Sequence, residues 1–269
     1  MSRRSRALAS WFVLAVAIAV GIATSVLLEE RSVDASNSIS VEKMEAAATR
    51  AKGAPVSLQF DPPDKGQSRA DMVSARDKAT GDVFWFRGDG SEIIYHRNKE
   101  GWNGGAGPRK SRAELETLAS ESARRICPAL FSGKVTRSLD EADVEDGNVV
   151  AVEYRAYSSE GVRIGFARVE LNAVTGALRT YNSDGPVSVT VSLDSKVREG
   201  EAVSMAAETL GMPIHVLEEA ELAIFRPIDA EQRLVWNVRL RTGDEEVGAL
   251  GFVTIDAHTG EVVESAVAE

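Results

Sequence analysis

The side chains that could do chemistry are few: three histidines, one cysteine, and carboxylates in excess of bases. His96, His215 and His258 lie far apart, none within four residues of another, so neither an H-E-x-x-H helix nor a clustered zinc set is present. Cys127 stands before Pro128 at the end of an apolar helical pattern, which is the setting of a buried filler and not of a nucleophile. Being the only cysteine, it also precludes an intrachain disulfide. Gly104-Gly105-Ala106-Gly107 lacks the Lys-Ser/Thr that phosphate cradling needs, and no G-x-G-x-x-G or G-x-S-x-G string occurs. The acidic run from Asp140 to Gly147 invites a calcium reading. With Gly147 at the sixth position of a loop, however, Ala142 and Val144 fall where oxygen ligands belong, so the run reads as a solvated connection. We therefore expect no catalytic, cofactor-binding or metal-binding residues. A hydrolase built on paired carboxylates would have nothing to mark its pair.

What carries these residues begins with a membrane segment. Residues 7–28, ALASWFVLAVAIAVGIATSVLL, contain no charge and would form about 33 Å of helix, enough to cross a bilayer core. Arg3, Arg4 and Arg6 precede it and Glu29 and Glu30 follow. The positive-inside bias then keeps residues 1–6 in the cytoplasm as a basic tail and sends the remainder across. We read 7–28 as an uncleaved signal-anchor and 29–38 as a linker. A cleaved leader would have a shorter apolar region, although Val33-Asp34-Ala35 offers a small-residue site that would release the protein. The expected location is the cell membrane, with a single pass and the folded part outside the cytoplasm. With 31 basic against 41 acidic residues the net charge is −10, which repels nucleic acid.

The folded part is repetitive. VELNAVTGAL at 169–178 recurs as VTIDAHTGEV at 253–262, 84 residues later, with Asn172 in the place of Asp256. In D-x-x-T-G the acid accepts from N–H groups two and three residues on, and the glycine supplies the positive φ of a bulged hairpin turn. Asparagine offers the same acceptor through its amide carbonyl. Asn172, Thr175, Gly176, Asp256, Thr259 and Gly260 are thus expected as structural turn residues. A fainter copy, Asp77 to Val83, keeps Thr80 and Gly81 and leads into the aromatic strand Val83-Phe84-Trp85-Phe86.

A helical pattern precedes each turn. Met44, Ala47, Ala48 and Ala51 recur at helical spacing between a Ser40 cap and Gly53; Ser111 and Glu114 form a capping box before Leu115, Leu118, Ala119, Ser122 and Ile126; Val203, Ala206, Ala207 and Leu210 make a stripe that Gly211 ends. Strands alternate between them: Leu234, Trp236, Val238 and Leu240 in one repeat, Val150, Val152, Tyr154 and Ala156 in another. The expected class is α+β, tandem units of one amphipathic helix on an antiparallel sheet, at 39–100, 111–184 and 185–269, with 101–110 a glycine-rich linker.

The closing run Val253-Thr254-Ile255-Asp256-Ala257-His258-Thr259-Gly260-Glu261-Val262 resembles the last strand and turn of PepSY-type domains, which end in V-x-x-D-A-x-T-G-E-V. The resemblance extends over 195–269, less fully over 111–184, and to a degenerate degree over 39–98. It implies a helix-on-sheet module of exported or membrane-attached proteins and of protease propeptides, with an inhibitory or binding role and no catalytic residues. The expected function is a membrane-anchored, non-enzymatic interaction module that restrains a protease or envelope assembly. The alternative is a small-ligand sensor or carrier of the envelope.

Overall fold

The computed structural model describes residues 40–60, 72–88, 90–103, 106–140, 148–212, 215–226, 231–242 and 249–268. The expected anchor at 7–28, its linker and the acidic loop at 141–147 lie outside the described residues. Among the described residues, no helix is long and apolar enough to cross a membrane.

The fold is α+β. In chain order it runs α1 (Val41–Lys52), β1 (Leu58–Phe60), β2 (Met72–Asp77), β3 (Val83–Arg87), β4 (Glu92–Arg97), α2 (Arg112–Ile126), β5 (Lys134–Asp140), β6 (Val149–Tyr157), β7 (Arg163–Asn172), β8 (Leu178–Ser183), α3 (Glu199–Leu210), β9 (His215–Phe225), β10 (Arg233–Thr242), β11 (Leu250–Asp256) and β12 (Val262–Ala268). Local chemistry sets each helix. In α1 the Ser40 hydroxyl accepts from the Lys43 N–H at 3.3 Å, and Gly53 ends the helix at φ 73°. In α2 the Ser111 hydroxyl accepts from Glu114 N while the Glu114 carboxylate accepts from Ser111 N at 2.8 Å, so two orphan donors are satisfied at once.

Two compact units result. One comprises the described residues up to Tyr157 together with Ile164–Val187. Its strands follow the order β1-β2-β3-β4-β8-β7-β6-β5, and β4 pairs antiparallel with both β3 and β8. The core lies under α1 and α2, where Met44, Leu115, Phe84, Phe86, Val169 and Tyr181 meet. The side facing away from that core carries a buried ion network, with Arg168 bonded to Glu153 at 2.8 Å and Glu170 at 3.2 Å.

The other unit comprises Ser158–Arg163 and the described residues from Ser188 onward. Here α3 covers one face of β9-β10-β11-β12, all antiparallel. The helix turns Ala202, Ala206 and Ala207 to the sheet, while Val203 and Leu210, expected in the stripe, flank it half-buried. Small residues at the centre let helix and sheet approach closely, and Leu234, Trp236, Val238, Leu240, Val253 and Ile255 fill the core beneath. Val235, between Leu234 and Trp236, is fully buried as well.

Candidate functional site

The six turn residues singled out from sequence assemble into two copies of one turn, and a third copy joins them. Asp256 Oδ1 accepts from His258 N and Thr259 N, both at 2.9 Å; Asn172 Oδ1 accepts from Val174 N and Thr175 N, both at 3.0 Å. Thr259 and Thr175 each accept, at 3.2 Å, from the N–H two residues on. At the early copy, credited from sequence with Thr80 and Gly81 alone, Asp77 Oδ1 accepts from Ala79 N at 3.1 Å. Gly81, Gly176 and Gly260 hold φ of 76°, 74° and 78°, where a side chain would be strained. The signal that finds the early copy is D-x-x-T-G-D, with Asp77 in the place of Asp256 and Asp82 in that of Glu261.

Past the turn the copies diverge. Outside the later two, Leu171 pairs with Leu178 and Ile255 with Val262, and each strand pair bulges at the next step. In β2–β3 the corresponding pair is Arg76 with Val83, no bulge follows, and the next pair out, Ala75 with Phe84, enters the core. The early hairpin therefore presents the opposite face inward.

The turns also differ in what their second polar atom meets. Asp77 Oδ2 binds the Lys52 ammonium at the end of α1, which also reaches Asp82 at 3.1 Å and Thr80 Oγ1 at 2.6 Å. Burial opposes the charge on both Lys52 and Asp77; the bonds of Lys52 to Asp77 and Asp82, and of Asp77 to Lys52, Thr80 and the Ala79 N–H, outweigh it, so the lysine pKa is raised and the aspartate pKa lowered. Asn172 Nδ2 instead donates to the Asn103 carbonyl at 3.2 Å, a contact only an amide can make. Asp256 Oδ2 faces Arg233 at 3.8 Å, and burial, which works against its charge, is outweighed by the turn N–H groups, so its pKa is lowered.

Beside Lys52 lies a shallow cleft lined by His96, Asn98, Ser122, Arg125 and the backbone at Gly176–Leu178. Arg125 Nε donates to Ala51 O at 2.8 Å, capping the end of α1. His96 stacks on Phe84, ring centroids 4.3 Å apart, and burial pushes its pKa down to about 4, with the Lys52 and Arg125 charges assisting and Asp82 opposing. Both imidazole nitrogens are shielded and unpartnered among the described residues. The ring is thus neutral at pH 7 and closed to any occupant of the cleft, while Lys52 is neutralised by two aspartates. These groups hold α1 to the β2–β3 turn; they do not form an acid–base pair. The other histidines stay apart, and His258 is half-buried. Among the described residues no three metal-ligating side chains gather. Cys127 is half-buried against the core, and burial raises its thiol pKa.

A further surface feature is the outer edge of β12. Among the described residues β12 pairs only with β11, and it leaves Val262 38% and Val267 49% exposed. Sequence reasoning named no contact residue here, because edge position is a property of strand order.

Residues 196–266, from just before α3 through β12, match the family described as PepSY, peptidase propeptide and YPEB domain. The chain thus carries a PepSY-like domain over this helix and its four strands. Among solved structures it is similar to the Bacillus megaterium YpeB C-terminal domain, at 10% identity over 86% of this chain and 99% of that one, with a TM-score of 0.47. No curated protein matches the chain.

Proposed function

We propose that this protein is a membrane-anchored, extracytoplasmic interaction module of tandem PepSY-like units that holds a partner protein, a peptidase or an envelope assembly, in a restrained state. The match of residues 196–266 to a domain described from peptidase propeptides carries this reading. A propeptide acts by binding and occlusion, which needs a stable surface and no catalytic group of its own. The uncharged segment 7–28 behind three arginines supports the anchor and the outward orientation. Holding a small ligand in the cleft is the weaker alternative, because the His96 nitrogens are shielded and Lys52 is neutralised.

The test is capture from solubilised envelopes with the full chain as bait, followed by assay of any captured peptidase with and without added chain. A peptidase whose activity falls as the chain is titrated supports the proposal. Background proteins only, or a peptidase indifferent to the chain, overturns it. Protease accessibility of residues beyond 29 in intact cells checks the orientation, and cytoplasmic protection would reject it.

A further inference from the structure

From the comparison of β12 with β8, we infer that the outer edge of β12 is the docking site for an extended segment of the partner, added as an antiparallel strand. The inference rests on the proposed binding role and specifies its mode. β8 and β12 occupy the same place after the same turn. Leu171 pairs with Leu178 as Ile255 pairs with Val262, Val169 with Tyr181 as Val253 with Ser265, and Ala167 with Ser183 as Gly251 with Val267. On β8 these three positions are almost wholly covered: Leu178 is 8% exposed, Tyr181 0% and Ser183 4%. The strand paired along that edge is β4, whose Tyr95, His96 and Arg97 meet Asn182, Tyr181 and Thr180, while Leu178 lies against the turn at Gly101. No strand among the described residues does the same for β12.

The chain therefore contains its own example of how this edge is closed, and the example states the chemistry of the missing strand. Opposite Ser265, which is small where Tyr181 is large, the entering segment places a bulky apolar or aromatic side chain that covers Val262 and Val267. Main-chain bonds along the edge supply affinity and this side chain supplies choice. A second copy of this chain is a poorer occupant: antiparallel self-pairing about Ser265 sets serine against serine and brings together two chains of net charge −10.

The probe is a synthetic peptide with the sequence of residues 91–98, SEIIYHRN, the strand that pairs with β8 and that sets a ring opposite Tyr181, the counterpart of Ser265. Peptide added to the full chain is expected to slow amide exchange across residues 262–267. Val267→Lys, an inward charge of the kind that blocks sheet edges, is expected to weaken binding by about tenfold or more. Because Val267 is half exposed, the melting temperature of that variant should change little, which separates lost binding from lost folding. Absence of protection at 262–267, or protection that survives Val267→Lys, overturns the inference. So does sedimentation showing a dimer that Val267→Lys dissolves, since the occupant is then a second copy. If the captured partner binds the Val267→Lys chain as well as the parent, the restraining role stands and only the docking mode fails.

Discussion

At Gly260 the backbone holds φ 78°, and a built side chain would meet Met205 at 3.3 Å. Gly260→Val is therefore expected to destabilise the C-terminal unit by about 1–3 kcal/mol, read as a lower urea midpoint of Trp236 fluorescence. An unchanged midpoint would contradict the turn. Asn172 permits a sharper test, because aspartate would keep the acceptor for Val174 and Thr175 N–H but replace the amide that donates to Asn103 O. A carboxylate there faces a carbonyl. Asn172→Asp should then cost about 1–3 kcal/mol at pH 7. The reverse change at the equivalent position, Asp256→Asn, keeps the turn acceptor and gives up an arginine at 3.8 Å that is 40% exposed. Its cost should be well under that of Asn172→Asp, and equal costs would show that the Asn103 contact is not what selects asparagine.

Elements were legible where the signal is local. Ser40, Ser111 and Gly53 mark the ends of α1 and α2 because caps bond within a few residues, and the structure places helix ends where those residues stand. Ser111→Ala, which removes one half of the reciprocal cap of α2, should lower the stability of the N-terminal unit by about 1 kcal/mol, measurable by chemical denaturation. A loss below a few tenths would mean that tertiary packing alone fixes the start of α2. Strand identity was also readable, since Trp236 to Leu240 and Val152 to Ala156 alternate as their burial does, while Val235 and Ala151 are buried on the other face as well. Strand order was not. That β4 inserts beside β8 while β12 stays at an edge depends on pairings between residues far apart in the chain, such as His96 with Tyr181, for which alternation carries no signal. The Lys52, Asp77, Asp82 and His96 cluster was missed for a related reason: the lysine lies in a helix and reads as a solvated charge until the turn is set against it.

For the whole molecule, the depressed pKa values divide the acid response between the two units. His96 titrates near 4 when folded against about 6.5 when unfolded, so below pH 6.5 the unfolded chain binds a proton that the folded chain refuses. Stability of the N-terminal unit is thus full above pH 6.5, falls as pH drops toward 4, and by then has lost about 3 kcal/mol. Asp77 and Asp256 act later. Their folded pKa values lie below 3.8, so the stability they contribute is present above that value and is lost as pH falls through the lower, folded value. Acid should therefore weaken the N-terminal unit, which holds His96, at a higher pH than the C-terminal unit, whose lowered carboxylates are Asp256 and the exposed Glu160. Single-tryptophan variants keeping Trp85 or Trp236, followed in urea from pH 7 to 3, would resolve the two transitions. His96→Phe preserves the stack on Phe84 and removes the orphaned nitrogens, and it should flatten the pH 6.5 to 4 limb of the Trp85 transition while leaving the Trp236 transition unmoved. If that limb keeps its slope in His96→Phe, the acid response of this unit belongs to other groups and the shielding of His96 is not what it reports.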